Sequence, residues 1–246
     1  MNKWEKHIML FVLAVVLLGA SPACAQYNNR TITNLPQSDL QRWHFGFILG
    51  IGFGDFTTKS SDYTDAEGYH YASASDGLMP AFQVGMIADL RLVDYLNLRC
   101  TPTLTLGERN INYTTFDPSG RVVGESSKVS IKPTTVEIPF YLKYSAKRYG
   151  NFRPYVLVGG GPMFNLNLNP EEPILLNVFD VQIGFGFGFM FYNEYFRFCP
   201  ELKFCFGLLD QLNRNHPEIE GTTNFVYTAS VDRLTARILT LTFNFE

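Results

Sequence analysis

The sequence predicts an all-β protein: an eight-stranded, antiparallel, up-and-down transmembrane β-barrel preceded by a cleaved signal peptide. Three observations carry this. Residues 178–207 alternate with a period of two: Val181, Ile183, Phe185, Phe187, Phe189 and Phe191 are interleaved with Gln182, Gly184, Gly186, Gly188 and Met190. After Tyr192-Asn193-Glu194-Tyr195 the parity flips, so that Phe196, Phe198, Leu202, Phe204 and Phe206 oppose Arg197, Cys199, Glu201, Lys203, Cys205 and Gly207. Successive side chains of a strand point to opposite faces, and a greasy face backed by glycine and charge is the pattern of a hairpin in lipid. The second observation is composition. Of 246 residues only 17% are charged and 15% are aromatic, whereas soluble domains carry about a quarter charged residues. The third is a secretion signal followed by no apolar run long enough for a spanning helix, which leaves a closed barrel or a peripheral protein.

The signal has Lys3 and Lys6 before an apolar stretch from Ile8 to Ala20, then Ala23-Cys24-Ala25 as a small-residue cleavage site. Cleavage between Ala25 and Gln26 is expected. Cys24 raises a lipoprotein alternative, for which Ser21-Pro22-Ala23 is a poor lead-in. Residues 1–25 are thus the signal peptide, 26–40 a periplasmic N-terminal segment and 41–246 the barrel. Cys100, Cys199 and Cys205 remain after cleavage. The last two lie about 20 Å apart along one extended strand, too far for a disulfide, and read as small buried filler.

Strand one runs from about Gln41 to Phe53, with Trp43, Phe45, Phe47, Leu49, Ile51 and Phe53 outward and Arg42, His44, Gly46, Ile48, Gly50 and Gly52 inward. A long loop, about Phe56 to Gly77, precedes strand two. There Phe82, Val84, Met86, Ala88 and Leu90 face out, and Gln83, Gly85, Ile87, Asp89 and Arg91 face in. A tight connection at Val93-Asp94-Tyr95 leads to strand three, with Leu96, Leu98, Cys100, Leu104 and Leu106 outward and Asn97, Arg99 and a threonine row inward. A second long loop, about Glu108 to Lys132, holds an Asp117-Pro118-Ser119-Gly120 turn. Strand four has Val136, Ile138, Phe140, Leu142 and Tyr144 out, with Glu137, Tyr141 and Lys143 in. Strand five is Arg153 to Phe164, and a loop containing Asn169-Pro170-Glu171-Glu172-Pro173 leads to the opening hairpin, strands six and seven. A last loop, about Leu209 to Asp232, precedes strand eight with Leu239, Leu241, Phe243 and Phe245 on one face.

The even count and the alternation of long and short connections match outer-membrane barrels, whose short turns are periplasmic. Both termini then fall in the periplasm; a periplasm-facing, membrane-associated placement is the alternative. Tyr95, Tyr149, Tyr192 and Tyr195 mark the short connections and suit an interfacial girdle. Glycines at 46, 50, 52, 159, 161, 184, 186 and 188 share the inward face, where a narrow interior favours small residues. Pro80, Pro102, Pro139, Pro154 and Pro200 each remove a ladder donor, so bulges or strand ends are expected at several; Pro200 fits least comfortably.

An eight-stranded interior is filled by side chains, which argues against a porin. Arg42, Arg99, Glu137, Lys143, Arg153, Arg197, Glu201 and Lys203 are expected to share it as a structural ion-pair plug, since buried charges must pair; a proton or ion path is the other reading. His44 reads as a satisfied interior histidine. His70, in Tyr69-His70-Tyr71-Ala72-Ser73, allows a serine–histidine arrangement on the outer surface, and His216 is distant in the chain. No metal spacing arises, and Gly159-Gly160-Gly161-Pro162 lacks the following helix that a phosphate loop needs. No catalytic residue, cofactor or metal is assigned. With a net charge of −3 and no basic block, nucleic acid is not an expected partner, nor is a small-molecule substrate. Membrane lipid is, and by elimination so is a protein bound through the loops or the periplasmic end. The segment Gln26 to Leu40 reads equally as a leader or a docking arm.

Several stretches are similar to the PorT family, called SprT in gliding relatives, of the Bacteroidetes type IX secretion system. They are Asn34-Leu35-Pro36 with His44-Phe45-Gly46-Phe47, Asp89-Leu90-Arg91-Leu92 with Asn97-Leu98-Arg99, and Pro102-Thr103-Leu104. Others are Phe152-Arg153-Pro154-Tyr155-Val156 with its glycine run, Tyr195-Phe196-Arg197-Phe198 with Pro200-Glu201-Leu202-Lys203-Phe204, and the stretch Leu241-Thr242-Phe243-Asn244-Phe245-Glu246. The resemblance spans almost the whole mature chain. It implies a non-enzymatic accessory for export of proteins with a C-terminal targeting domain, such as proteases and adhesins, working with other proteins of that system and without assigned catalytic residues. A lipid-modifying barrel enzyme and a surface adhesion barrel are the alternatives.

Overall fold

A computed structural model of the chain describes residues 33–61, 63–65, 67–123, 126–166, 173–215 and 225–246. The expected signal peptide with its cleavage site at Ala25 and Gln26, the loop residues 169–172, His216 and Pro217 lie outside the described residues.

Among the described residues, eight antiparallel staves close into a ring. In order they are β1 (Trp43–Ser60), β3 (Met79–Val93), β4 (Leu96–Cys100) continued by β5 (Thr103–Gly107), β8 (Thr134–Glu137) continued by β9 (Phe140–Ser145), β10 (Phe152–Asn165), β11 (Phe179–Tyr192), β12 (Arg197–Gly207) and β13 (Val231–Phe245). Closure is made by β13 on β1, with Phe47 opposite Phe245 and Thr58 opposite Leu234. The eight-stranded barrel that the alternation predicts is therefore the observed fold.

The outward face is apolar on every stave: Phe45, Phe82, Leu106, Phe140, Val156, Phe185, Phe206 and Leu241, one from each, are all exposed. On β1 the apolar row runs from Trp43 to Phe53. Ten steps of about 3.3 Å at a tilt near 40° make a belt about 25 Å tall, the height of a membrane-barrel band. The inward glycines do more than spare volume. A Cβ on Gly186 would lie 2.5 Å from the Leu202 carbonyl oxygen, and one on Gly159 would collide with the Phe140 carbonyl. The wall of so small a barrel curves strongly, which brings inward Cβ positions against the neighbouring backbone.

The prolines are absorbed in two ways. Pro102 and Pro139 sit in two-residue breaks that divide β4 from β5 and β8 from β9. The breaks face each other, with Thr101 N–H donating to the Pro139 carbonyl at 3.1 Å, so the inward–outward parity survives. Pro200 remains inside β12. Its pairing with Phe243 of β13 is intact, while the ladder to β11 lapses between Gly188–Glu201 and Phe191–Phe198. The missing N–H thus falls at a gap in one ladder only.

The long connections carry more structure than the sequence reading expects. β1 continues to Ser60. β2 (His70–Ser75), β6 (Arg109–Phe116) and β7 (Ser127–Ile131) form a second, three-stranded sheet at the long-loop end. A short helix, α1 (Phe225–Ala229), precedes β13. Phe56, Ile111, Tyr113, Val129, Ile131, Ile174, Leu176, Leu212, Val231 and Leu234 bury a separate apolar core beneath this sheet. The predicted Asp117 turn is present: Asp117 Oδ1 accepts the backbone N–H groups of Ser119 and Arg121 at 2.9 and 2.8 Å, and Gly120 takes a left-handed φ of 80°.

Candidate functional site

The lumen is a stack of three polar layers, and the lowest is made by the segment before the barrel. Thr33 to Gln41 fold across the short-turn mouth. A 3-10 turn, Ser38–Leu40, is held by Leu40 N–H donating to the Gln37 carbonyl and Gln41 N–H to that of Ser38; before it, Ser38 N–H donates to the carbonyl of Leu35, which is in a left-handed conformation (φ 47°). Leu35 packs on the lower luminal cluster of Tyr141, Tyr155, Leu157, Met190, Tyr192 and Cys199. Asn34 donates to the Tyr192 carbonyl at 3.0 Å and receives Asn151 as acceptor for its backbone N–H at 2.9 Å. Asp39 accepts from the Tyr192 hydroxyl at 2.6 Å, and from Arg148 and Arg153 at 3.2 Å each. Burial works to raise the Asp39 carboxyl pKa, but the Tyr192 and Arg148 hydrogen bonds and the Arg153 and Arg148 charges outweigh it and hold the group below its ordinary value. His44, buried in β1, places Nε2 2.6 Å from the Ser38 carbonyl oxygen, to which it donates.

Above the plug lies an ionic layer. Arg99 is fully buried and contacts three carboxylates: Asp89 at 2.9 Å, Glu201 at 3.2 Å, and Glu246. Lys143 pairs with Asp89, Arg197 with Glu246 at 2.7 Å, and Lys203 with Glu201 at 3.2 Å. Tyr155 donates its hydroxyl to Glu201 at 2.8 Å, and the Arg99 guanidinium lies 5.5 Å from its ring centroid. Asp89, Arg99, Lys143 and Glu201 are each at most 2% exposed. Solvent does not reach this layer, so the barrel interior is a packed ionic plug and not an open aqueous pore.

The third layer is polar but less paired. Glu137 accepts from Gln182 at 2.8 Å and Thr105 at 3.0 Å, and Asp180 accepts from Gln211 at 2.6 Å. Arg109 reaches in from β6, with its guanidinium 4.8 Å from the Phe56 ring centroid. The apolar core of the outer sheet closes the lumen above it.

Of the residues expected in the lumen, Arg99, Glu137, Lys143, Arg197, Glu201 and Lys203 are buried there. Arg153 is buried at the short-turn rim, serving Asp39. Arg42 corrects the expectation: it precedes β1 and is exposed, because its backbone carbonyl meets Arg91 N–H while its side chain stays on the outer shoulder. Tyr192 is likewise no girdle residue. It is buried under the plug, whereas Tyr95, Tyr149 and Tyr195 are exposed as a girdle requires. Asp89 and Glu246 were legible from parity as inward residues of their strands. Asp39 and Arg148 carried no sequence signal, since their meeting depends on the fold of the plug.

His70 does not meet a serine nucleophile. Its Nδ1 lies 3.1 Å from the Tyr63 carbonyl oxygen, and the Ser73 hydroxyl faces that of Ser60 at 3.0 Å. Among the described residues no group of three or more His, Cys, Asp or Glu side chains is placed to hold a metal. Cys199 and Cys205 are free and buried, Cys100 free and half-buried.

A closed eight-stave ring with an apolar exterior and a filled polar interior defines an outer-membrane-type β-barrel. The family model described as "Outer membrane protein beta-barrel domain" matches residues 24–213, and the chain belongs to that family, which places it in the outer membrane. Among solved structures the chain is similar to Neisserial surface protein A, at 9% identity and a TM-score of 0.43, covering 83% of this chain and 98% of that one. It is similar also to OprG from Pseudomonas aeruginosa, at 14% identity and a TM-score of 0.42, covering 83% and 95%. No curated protein sequence matches the chain.

Proposed function

We propose that this protein is a non-enzymatic accessory of type IX secretion, acting through protein contacts made at its periplasmic end. In this reading the short turns, the plug and both termini face the periplasm, and the three-stranded sheet faces the cell exterior. The observation that carries it is convergence. The stretches similar to the PorT family lie far apart in the chain, yet many of their residues gather in two adjoining layers. Asn34, Leu35 and Arg153 build the plug or its rim; Asp89, Asn97, Arg99, Arg197, Glu201, Lys203 and Glu246 build the ionic layer. A plugged lumen cannot itself pass a folded or extended polypeptide, which leaves scaffolding or assembly as the task. Deletion of the gene is expected to leave cargo with its C-terminal targeting domain unprocessed in the periplasm, and affinity purification from outer membranes to retain other components of the system. Normal export in the deletion strain overturns the reading.

The ordered three-stranded sheet at the long-loop end supports a second reading, surface adhesion. Shortening the β6–β7 hairpin then abolishes attachment and leaves export untouched.

A further inference from the structure

We infer that the belt edge at β1, β12 and β13 carries a binding site for a membrane lipid with a phosphate headgroup, its acyl chain in an apolar groove and its phosphate on Arg237. Along β13 the outward side chains Phe245, Phe243, Leu241 and Leu239 belong to the apolar belt, and the next outward position is Arg237. Its neighbours in register are Phe206, the last outward residue within β12, and Asp55 on β1, the step after Phe53. An arginine is tolerated on the outer face of a barrel near the interface and penalised at mid-membrane, so Arg237 sits at headgroup level.

Asp55 braces it. The Arg237 Nη2 meets Asp55 Oδ2 at 2.9 Å, and Asp55 is nearly buried and also bound by the Ser75 hydroxyl. Among the described residues Asp55 is the partner this guanidinium has, and its side chain is 51% exposed. A guanidinium presents five donors in a planar fork, so the braced group keeps donors aimed outward, and that fork matches the oxygens of a phosphate. Arg233, two outward positions beyond with Thr235 between and opposite Lys59 in register, adds positive charge on the headgroup side.

Below the fork is the groove, of about 280 Å³, walled by Leu78 on one side and Phe204 and Phe206 on the other, with Leu239 in its floor. Leu78 is 57% exposed although it adjoins the belt. An apolar trough that ends at a fixed cation at the membrane boundary complements an amphiphile. A free phosphate uses the cation alone, and an uncharged lipid uses the trough alone.

The test is native mass spectrometry of the full barrel in an uncharged detergent, with three probes: phosphatidic acid, diacylglycerol with the same chains, and inorganic phosphate. Phosphatidic acid is expected to stay bound, and the other two to bind far more weakly. Arg237→Gln is expected to weaken phosphatidic acid binding about fivefold, the effect of one cation at an anionic surface. Leu78→Trp, at an exposed position that does not enter the core, fills the groove and is expected to weaken it as well. Arg91→Gln, at the opposite end of the barrel, leaves it unchanged. Equal retention of diacylglycerol, undiminished binding by Leu78→Trp and Arg237→Gln, or an equal loss in Arg91→Gln means non-specific annular lipid and overturns the site.

Discussion

Tyr192 donates its hydroxyl to Asp39 at 2.6 Å, joining residues 153 positions apart and locking the segment before the barrel across its mouth. Arg148 completes the clamp from the other side, its guanidinium 3.5 Å from the Tyr192 ring centroid while it donates to Asp39. The segment from Thr33 to Gln41 is thus packed into the barrel mouth, while residues 26–32 of the same stretch lie outside the described residues.

Asp39→Ala is expected to loosen this plug by about 1.5 kcal/mol, the low end for a hydrogen bond to a charged group. Hydrogen exchange is the measurement: amides of residues 33–42 lose about tenfold in protection, while those of β11 and β12 do not. Unchanged protection refutes the clamp.

The plug is also expected to respond to acid. The folded state holds the Asp39 carboxyl below its ordinary 3.8. A depressed carboxylate contributes stability above its unfolded value and loses it as the pH falls through 3.8 toward the folded value. Docking is therefore full at neutral pH and weakens below about pH 4. Asp39→Asn removes that acid-side step in an exchange profile of residues 33–42, and a step of the same size in the variant assigns it to another group.

In the ionic layer, Arg99→Met leaves Asp89, Glu201 and Glu246 short of their shared cation. Breaking a buried ion network by removing one partner costs about 3–5 kcal/mol. Urea unfolding in lipid vesicles reads this directly. Arg42→Gln, on the exposed shoulder, is expected to stay within about 0.5 kcal/mol of the wild type. If the two variants match, Arg99 is not the hub.

On the outer face, Phe187→Arg is expected to lose about 2–4 kcal/mol of insertion stability at mid-belt. Gln182→Asn on the inner face shortens the side chain that donates to Glu137 and costs about 1 kcal/mol. Equal tolerance at the two sites contradicts a lipid-facing Phe187.

Gly186→Val tests wall curvature. The added Cβ falls 2.5 Å from the Leu202 carbonyl oxygen, so β11 and β12 must part or tilt, at about 1–3 kcal/mol. Thermal unfolding with altered gel migration reports it. A neutral outcome means that the wall relaxes freely there.

Much of the architecture was legible because a strand's period is two. The Phe185–Gly186–Phe187 pattern assigns each side chain to lipid or lumen before any partner strand is known, and the same parity places Asp89, Arg99, Lys143 and Glu201 inward. Parity also had limits at strand ends: it put Arg42 in the lumen, but β1 begins at Trp43. The outer sheet left a signal that went unused, the alternation of Ile111 with Tyr113 and of Val129 with Ile131, short enough to pass for loop. Tyr192 read as a girdle residue because an amphipathic ring at a turn suits an interface, and only the plug across the mouth makes it a buried donor.

The sequence by itself determined the barrel, its stave count and its lipid and luminal faces, because these follow from local periodicity and composition. Tertiary structure decided which charges share a site, how the mouth is closed and where Pro200 is tolerated. Those depend on register between strands distant in the chain, and a one-dimensional pattern states which face a residue takes without stating what it meets there.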